Sequence, residues 1–133
     1  MVIIMLYEEL YQYMRTLPVI DTHEHLPIRN DARNPHADIF SEYCCFYFNR
    51  DLISAGMSYE DFARIQDRSL SVARRWAIAE PYWELCRRTG YGQTLDLAVR
   101  ELYGVARIDA ETVEEIDRKI KQTLHTDHYQ RVM

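Results

Sequence analysis

Five consecutive residues, Asp21-Thr22-His23-Glu24-His25, carry the densest chemistry in the chain. Two histidines separated by one residue present their imidazoles to the same side of a strand, because side chains alternate across it. Neutral imidazoles offered in parallel suit a borderline divalent ion, zinc above all, at about 2.0–2.1 Å per bond. A helix would need i,i+4 spacing for the same pairing, so this spacing calls for a strand, with Asp21 behind the pair on the same face. His23 and His25 are therefore the expected metal ligands. A catalytic zinc takes three protein ligands and a water, so the pair is short by at least one.

Other reactive residues are weaker candidates. Fourteen of the sixteen basic residues are Arg. Arg87 and Arg88 could clamp a substrate carboxylate in bidentate fashion, and they would equally well form a solvated helix end. His36 follows the motif in a loop and could face the same site, although an ordinary loop position accounts for it better. His125 and His128 have no cysteine or carboxylate cluster beside them, which makes them structural. Cys44, Cys45 and Cys86 are an odd number and no disulfide framework, which makes a reducing cytoplasm the default. The Cys44-Cys45 pair, without a partner at metal-ligand spacing, reads as buried helix residues. Tyr82, Trp83, Tyr91 and Tyr103 read as helix-packing residues rather than a sugar-stacking platform.

The elements that must position these residues follow from periodicity. Leu6, Leu10 and Met14 recur at four-residue intervals, which predicts a leading helix over 1–16 closed by Pro18. Val19 and Ile20 sit between Pro18 and Pro27, a stretch too short for a helix and β-branched enough for a strand over 17–26. Pro27, Asn30, Asp31, Asn34 and Pro35 mark a loop over 27–40. From 41 to 124 the pattern is helical. Ser58 opens a capping box with Asp61, and that helix runs through Phe62 and Ile65 as far as Ala79. Pro81 starts a further helix that stops at Gly90. Leu95, Ala98, Val99 and Leu102 define another ending at Gly104, and Asp109 caps a last one through Val113, Ile116 and Ile120. One strand with five or six helices is the inventory of part of an α/β domain.

The chain has 133 residues, a formal charge of −5 and 47% hydrophobic residues, enough for one domain with a buried core. Its acidic balance argues against nucleic acid or an anionic membrane surface as the main partner. No apolar run approaches the roughly 20 residues of a membrane span. Met1 to Leu6 lacks a basic flank and makes a poor signal peptide.

Val19-Ile20-Asp21-Thr22-His23-Glu24-His25-Leu26 resembles the first-strand signature of the amidohydrolase superfamily. Tyr47-Phe48-Asn49-Arg50-Asp51-Leu52-Ile53-Ser54-Ala55-Gly56-Met57 and Trp83-Glu84-Leu85-Cys86-Arg87-Arg88-Thr89-Gly90 are similar to the helical insertion after that strand in uronate isomerases and their relatives. The resemblance covers about residues 17–130. It implies an α/β fold, an amidohydrolase-type TIM (β/α)8 barrel, of which this mainly α-helical chain holds strand 1 and the insertion over 41–124. It also implies a divalent metal, most simply zinc, on His23 and His25, and a tyrosine, Tyr47, approaching the substrate. Cys45 and Phe46 stand where a polar pair is expected beside that tyrosine.

A full barrel needs about 250 residues and eight strands. The resemblance places the remaining ligands and a proton-handling Asp on later strands. The expectation is an N-terminal part of a hydrolase or isomerase acting on a small carbonyl or sugar-acid substrate, inactive alone and prone to self-association as a homo-oligomer. The competing expectation is a non-catalytic helical interaction protein, in which the face from Tyr82 to Leu102 meets a partner.

Overall fold

The computed structural model describes residues 2–20, 22–23 and 34–128. Among them are seven helices: α1 Val2–Thr16, α2 Ile39–Tyr43, α3 Phe48–Ser54, α4 Tyr59–Gln66, α5 Val72–Cys86, α6 Gly90–Tyr103 and α7 Val113–Thr123. The chain is mainly helical, as its periodicity predicts.

Local polar chemistry punctuates the helices. Asp38 and Ser41 form a reciprocal capping box at α2. The hydroxyls of Ser58, Ser71 and Thr89 each accept the backbone N–H three residues on, at the starts of α4, α5 and α6. Gly104 ends α6 in the left-handed region, φ 65°, as expected for a helix stop.

Helix α5 is the central element and packs against α3, α4 and α7. Its Trp76, Ala79, Trp83 and Cys86 enter a core that also holds Phe40, Leu52, Ile65, Val99, Ile116 and Ile120. Phe48 meets Trp83 edge-on at 5.4 Å between ring centroids. A buried ion pair ties this core together across distant sequence. Arg75 Nη1 donates to Asp38 Oδ2 at 2.7 Å and Arg75 Nε donates to the Ile65 carbonyl at 2.6 Å. The same guanidinium lies 4.2 Å from the centroid of the Phe40 ring. Asp117 extends the link to α7: its carboxylate accepts the Ile39 N–H at 3.2 Å and Lys121 Nζ at 2.6 Å.

Four boundaries differ from the periodic reading. The helix expected from Phe62 to Ala79 is two helices, because Asp67 folds back to accept the Ser69 N–H and Ser71 starts the chain again. Pro81 lies inside α5 rather than at its start. Buried residues on both sides of Pro81 hold the helix together, and the face that loses a hydrogen bond is exposed at Ala77 and Pro81. Gly90 begins α6 rather than ending α5. Thr112, not Asp109, precedes α7, while the Asp109 carboxylate holds the amides of Glu111 and Thr112 in the turn before it.

The predicted strand also differs. Among the described residues there is no strand, and residues 17–20, 22 and 23 run as irregular chain. A strand is defined by its ladder, and no other described segment offers an edge for Val19 and Ile20 to pair with. Leu6, Leu10 and Met14 form their stripe on α1, but it faces outward, because α1 packs little against the other helices.

Gly92 shows where close packing requires glycine. A Cβ there would lie 2.4 Å from the Cys86 carbonyl oxygen and 2.7 Å from the Arg87 Cα, both backbone atoms that cannot swing aside. Gly92→Ala is expected to destabilise the fold by about 1–3 kcal/mol. Gly90→Ala, where a Cβ meets nothing within 4 Å, is expected to be neutral or slightly stabilising. Thermal melts of the two variants side by side test this.

Candidate functional site

Of the metal motif, Thr22 and His23 are described, and both are exposed. His25, with Asp21 and Glu24, lies outside the described residues. Among those described, no group of three or more His, Cys, Asp or Glu is gathered to hold a metal. The described donors therefore do not by themselves make up the three ligands that a catalytic zinc requires.

Tyr47 occupies the turn into α3 and is exposed. Its ring stacks on Tyr91, with 5.8 Å between centroids and 10° between planes. The residue before it, Phe46, has φ 47°, an uncommon conformation for a side chain with a Cβ, and it turns the chain from α2 into α3. Tyr91 was expected to be a packing residue. It is instead the exposed partner of Tyr47, because α6 starts at Gly90 and places Tyr91 in its first turn.

Asp51 fixes this corner. Its Oδ2 accepts the Thr89 hydroxyl at 2.6 Å and its carbonyl accepts the Cys86 thiol at 3.2 Å. These bonds bring the turn carrying Arg87 and Arg88 to α3. Arg87 is half-buried and donates to both carboxylate oxygens of Glu84, at 3.2 and 3.3 Å. It is an intrahelical pair rather than a waiting clamp. Arg88 is exposed, and its carbonyl accepts the Gln93 amide at 2.9 Å. Of the two, Arg88 is the better placed to meet a ligand.

The remaining candidates separate clearly. Burial pushes the Cys44 thiol up to about 12, and burial with the Glu42 charge pushes Cys45 up to about 11. Neither is a thiolate near neutral pH. The pair nevertheless departs from the buried helix residues expected: both follow the end of α2 at Tyr43, and Cys45 is only half-buried. His128 is buried, its ring stacked on Tyr103 at 5.6 Å, whereas His125 is exposed. Trp83 is core, and Tyr82 and Tyr103 pack against it.

The Asp38–Arg75 pair has no signature in the sequence. Asp38 falls in a stretch that reads as loop, and Arg75 is one of two adjacent arginines with Arg74. Only the packing of α5 distinguishes the buried one. Burial raises the Asp38 carboxyl, but hydrogen bonds from Arg75 and the Ser41 amide outweigh it and hold the group below the usual carboxylate range.

No helix among the described residues is long and apolar enough to cross a membrane. No known protein family, curated protein or solved structure matches the chain.

Proposed function

We propose that this chain is the metal-motif portion of an amidohydrolase-type enzyme, hydrolase or isomerase, acting on a small carbonyl or sugar-acid substrate. In this reading His23 and His25 supply two ligands to a divalent ion of the zinc class. Residues 41–124 are the helical insertion after barrel strand one, and polypeptide outside the chain supplies the sheet and the missing ligands. The supporting observation is the state of the motif segment. Val19 and Ile20 are 89% and 83% exposed, although they are the most strand-prone residues beside the histidines. The helical body meanwhile closes a core of its own. Strand residues left bare beside a finished helical unit are what a barrel strand without its sheet would present. Tyr47 would then meet substrate hydroxyls, and Arg88 or Arg87 a carboxylate.

A metal titration of the chain tests this. Two imidazoles are half of a four-ligand site, so zinc is expected to bind weakly, with Kd of about 1–100 μM. The double substitution His23→Ala/His25→Ala is expected to abolish that binding. Zinc bound equally well by the double variant would overturn the assignment.

The outward faces of α1 favour a second reading, a helical interaction module. Met5, Leu6, Tyr7, Leu10, Tyr13 and Met14 are all exposed on that one helix. On this reading His23 and His25 are replaceable without consequence, and truncating Leu6, Leu10 and Met14 to Ala removes association instead.

A further inference from the structure

An open cavity of about 530 Å³ lies between the loop before α2, the start of α5 and the end of α7. His36, Asp38, Arg68, Ser71, Arg75 and Lys121 are among the residues that line it. The volume is that of a small-ligand pocket. Its charge is opposite to that of the chain as a whole: three cationic side chains line a cavity in a protein of formal charge −5.

The anions nearby do not use up this charge. Asp38 is engaged by Arg75 at 2.7 Å, and Arg68 reaches the same oxygen only at 3.8 Å. Lys121 is matched by Asp117 at 2.6 Å. Arg68, with 44% of its side chain exposed, is the surplus cation. Arg75 is 2% exposed, and its Nη2 makes no hydrogen bond among the described residues. A buried guanidinium nitrogen without an acceptor is costly to leave unmade. Helix α5 adds the positive end of its dipole. Ser71 accepts the Arg74 N–H, while the amides of Val72 and Ala73 have no acceptor within the helix.

We propose that this cavity binds the phosphate group of a small molecule. Donors approach from three places, the amides at the start of α5, the Arg68 guanidinium before it and Lys121 on α7, with the buried Arg75 supplying positive charge behind them. A tetrahedral group with three terminal oxygens can meet them together, whereas a planar carboxylate meets one fork at a time. The site is independent of the His23 motif and does not require metal.

Inorganic phosphate is the probe, titrated calorimetrically into the whole chain against chloride at matched ionic strength. Saturable one-site binding is expected. Arg68→Gln and Lys121→Gln, both at exposed side chains, are each expected to weaken it about tenfold. Arg74→Gln, at the same helix start but outside the cavity, is expected to leave it unchanged. Phosphate also stabilises proteins generally by exclusion from their surfaces. A non-saturating effect shared by the Arg68 variant would overturn the proposal. Malonate binding as tightly as phosphate would overturn the choice of ligand.

Discussion

Arg75→Met is expected to destabilise the protein by about 3–5 kcal/mol, because it leaves the buried Asp38 carboxylate without its cation. At this length the loss corresponds to a fall in Tm of roughly 10–20 °C. Adding Asp38→Asn should restore much of it. The amide oxygen still accepts the Ser41 N–H that caps α2, while the stranded charge is gone. The same pair sets an acid limit. The Asp38 carboxyl sits below its unfolded value of about 3.9, so its contribution is complete above about pH 4 and is lost as pH falls through the folded value. Melts between neutral and acid pH should therefore show a steeper loss for wild type than for the double variant. Equal slopes would assign the acid loss to other carboxylates.

Trp83→Ala should cost a similar amount, about 3–5 kcal/mol, by opening a cavity where α3 meets α5. Trp83 is 2% exposed and contacts both Phe48 and Trp76. Its indole N–H makes no hydrogen bond among the described residues. Trp83→Phe should therefore be far milder, at about 1 kcal/mol, since it keeps most of the buried ring and removes an unmatched donor. Denaturant unfolding of the two variants separates packing from polarity. If both cost the same, the indole nitrogen has a partner that matters.

These results bear on what kind of object the chain is. The helical body has the features of a unit that folds cooperatively: capped helices, one central helix and a continuous core. The segment leading to His23 has none of them. A strand depends on partners in a way that a helix does not, since its hydrogen bonds run to another segment. On the proposed function, the chemistry of the i,i+2 histidine spacing would be completed by partners other than the described helices.

What the amino-acid sequence determined by itself is local. Ser58 and Gly104 announced helix ends because their preferences reside in their own side chain and φ. The stripes of α1 and α7 were legible because periodicity is a property of the segment. Tertiary structure decided where those stripes face: Val113, Ile116 and Ile120 are buried, whereas Leu6, Leu10 and Met14 are not. It also decided that α5 continues through Pro81, that Asp38 finds Arg75, and that Tyr47 stacks on Tyr91. Each of these depends on an interaction between residues distant in sequence, whose free energy appears only when the helices have packed. Neither propensity nor spacing in a single segment contains it.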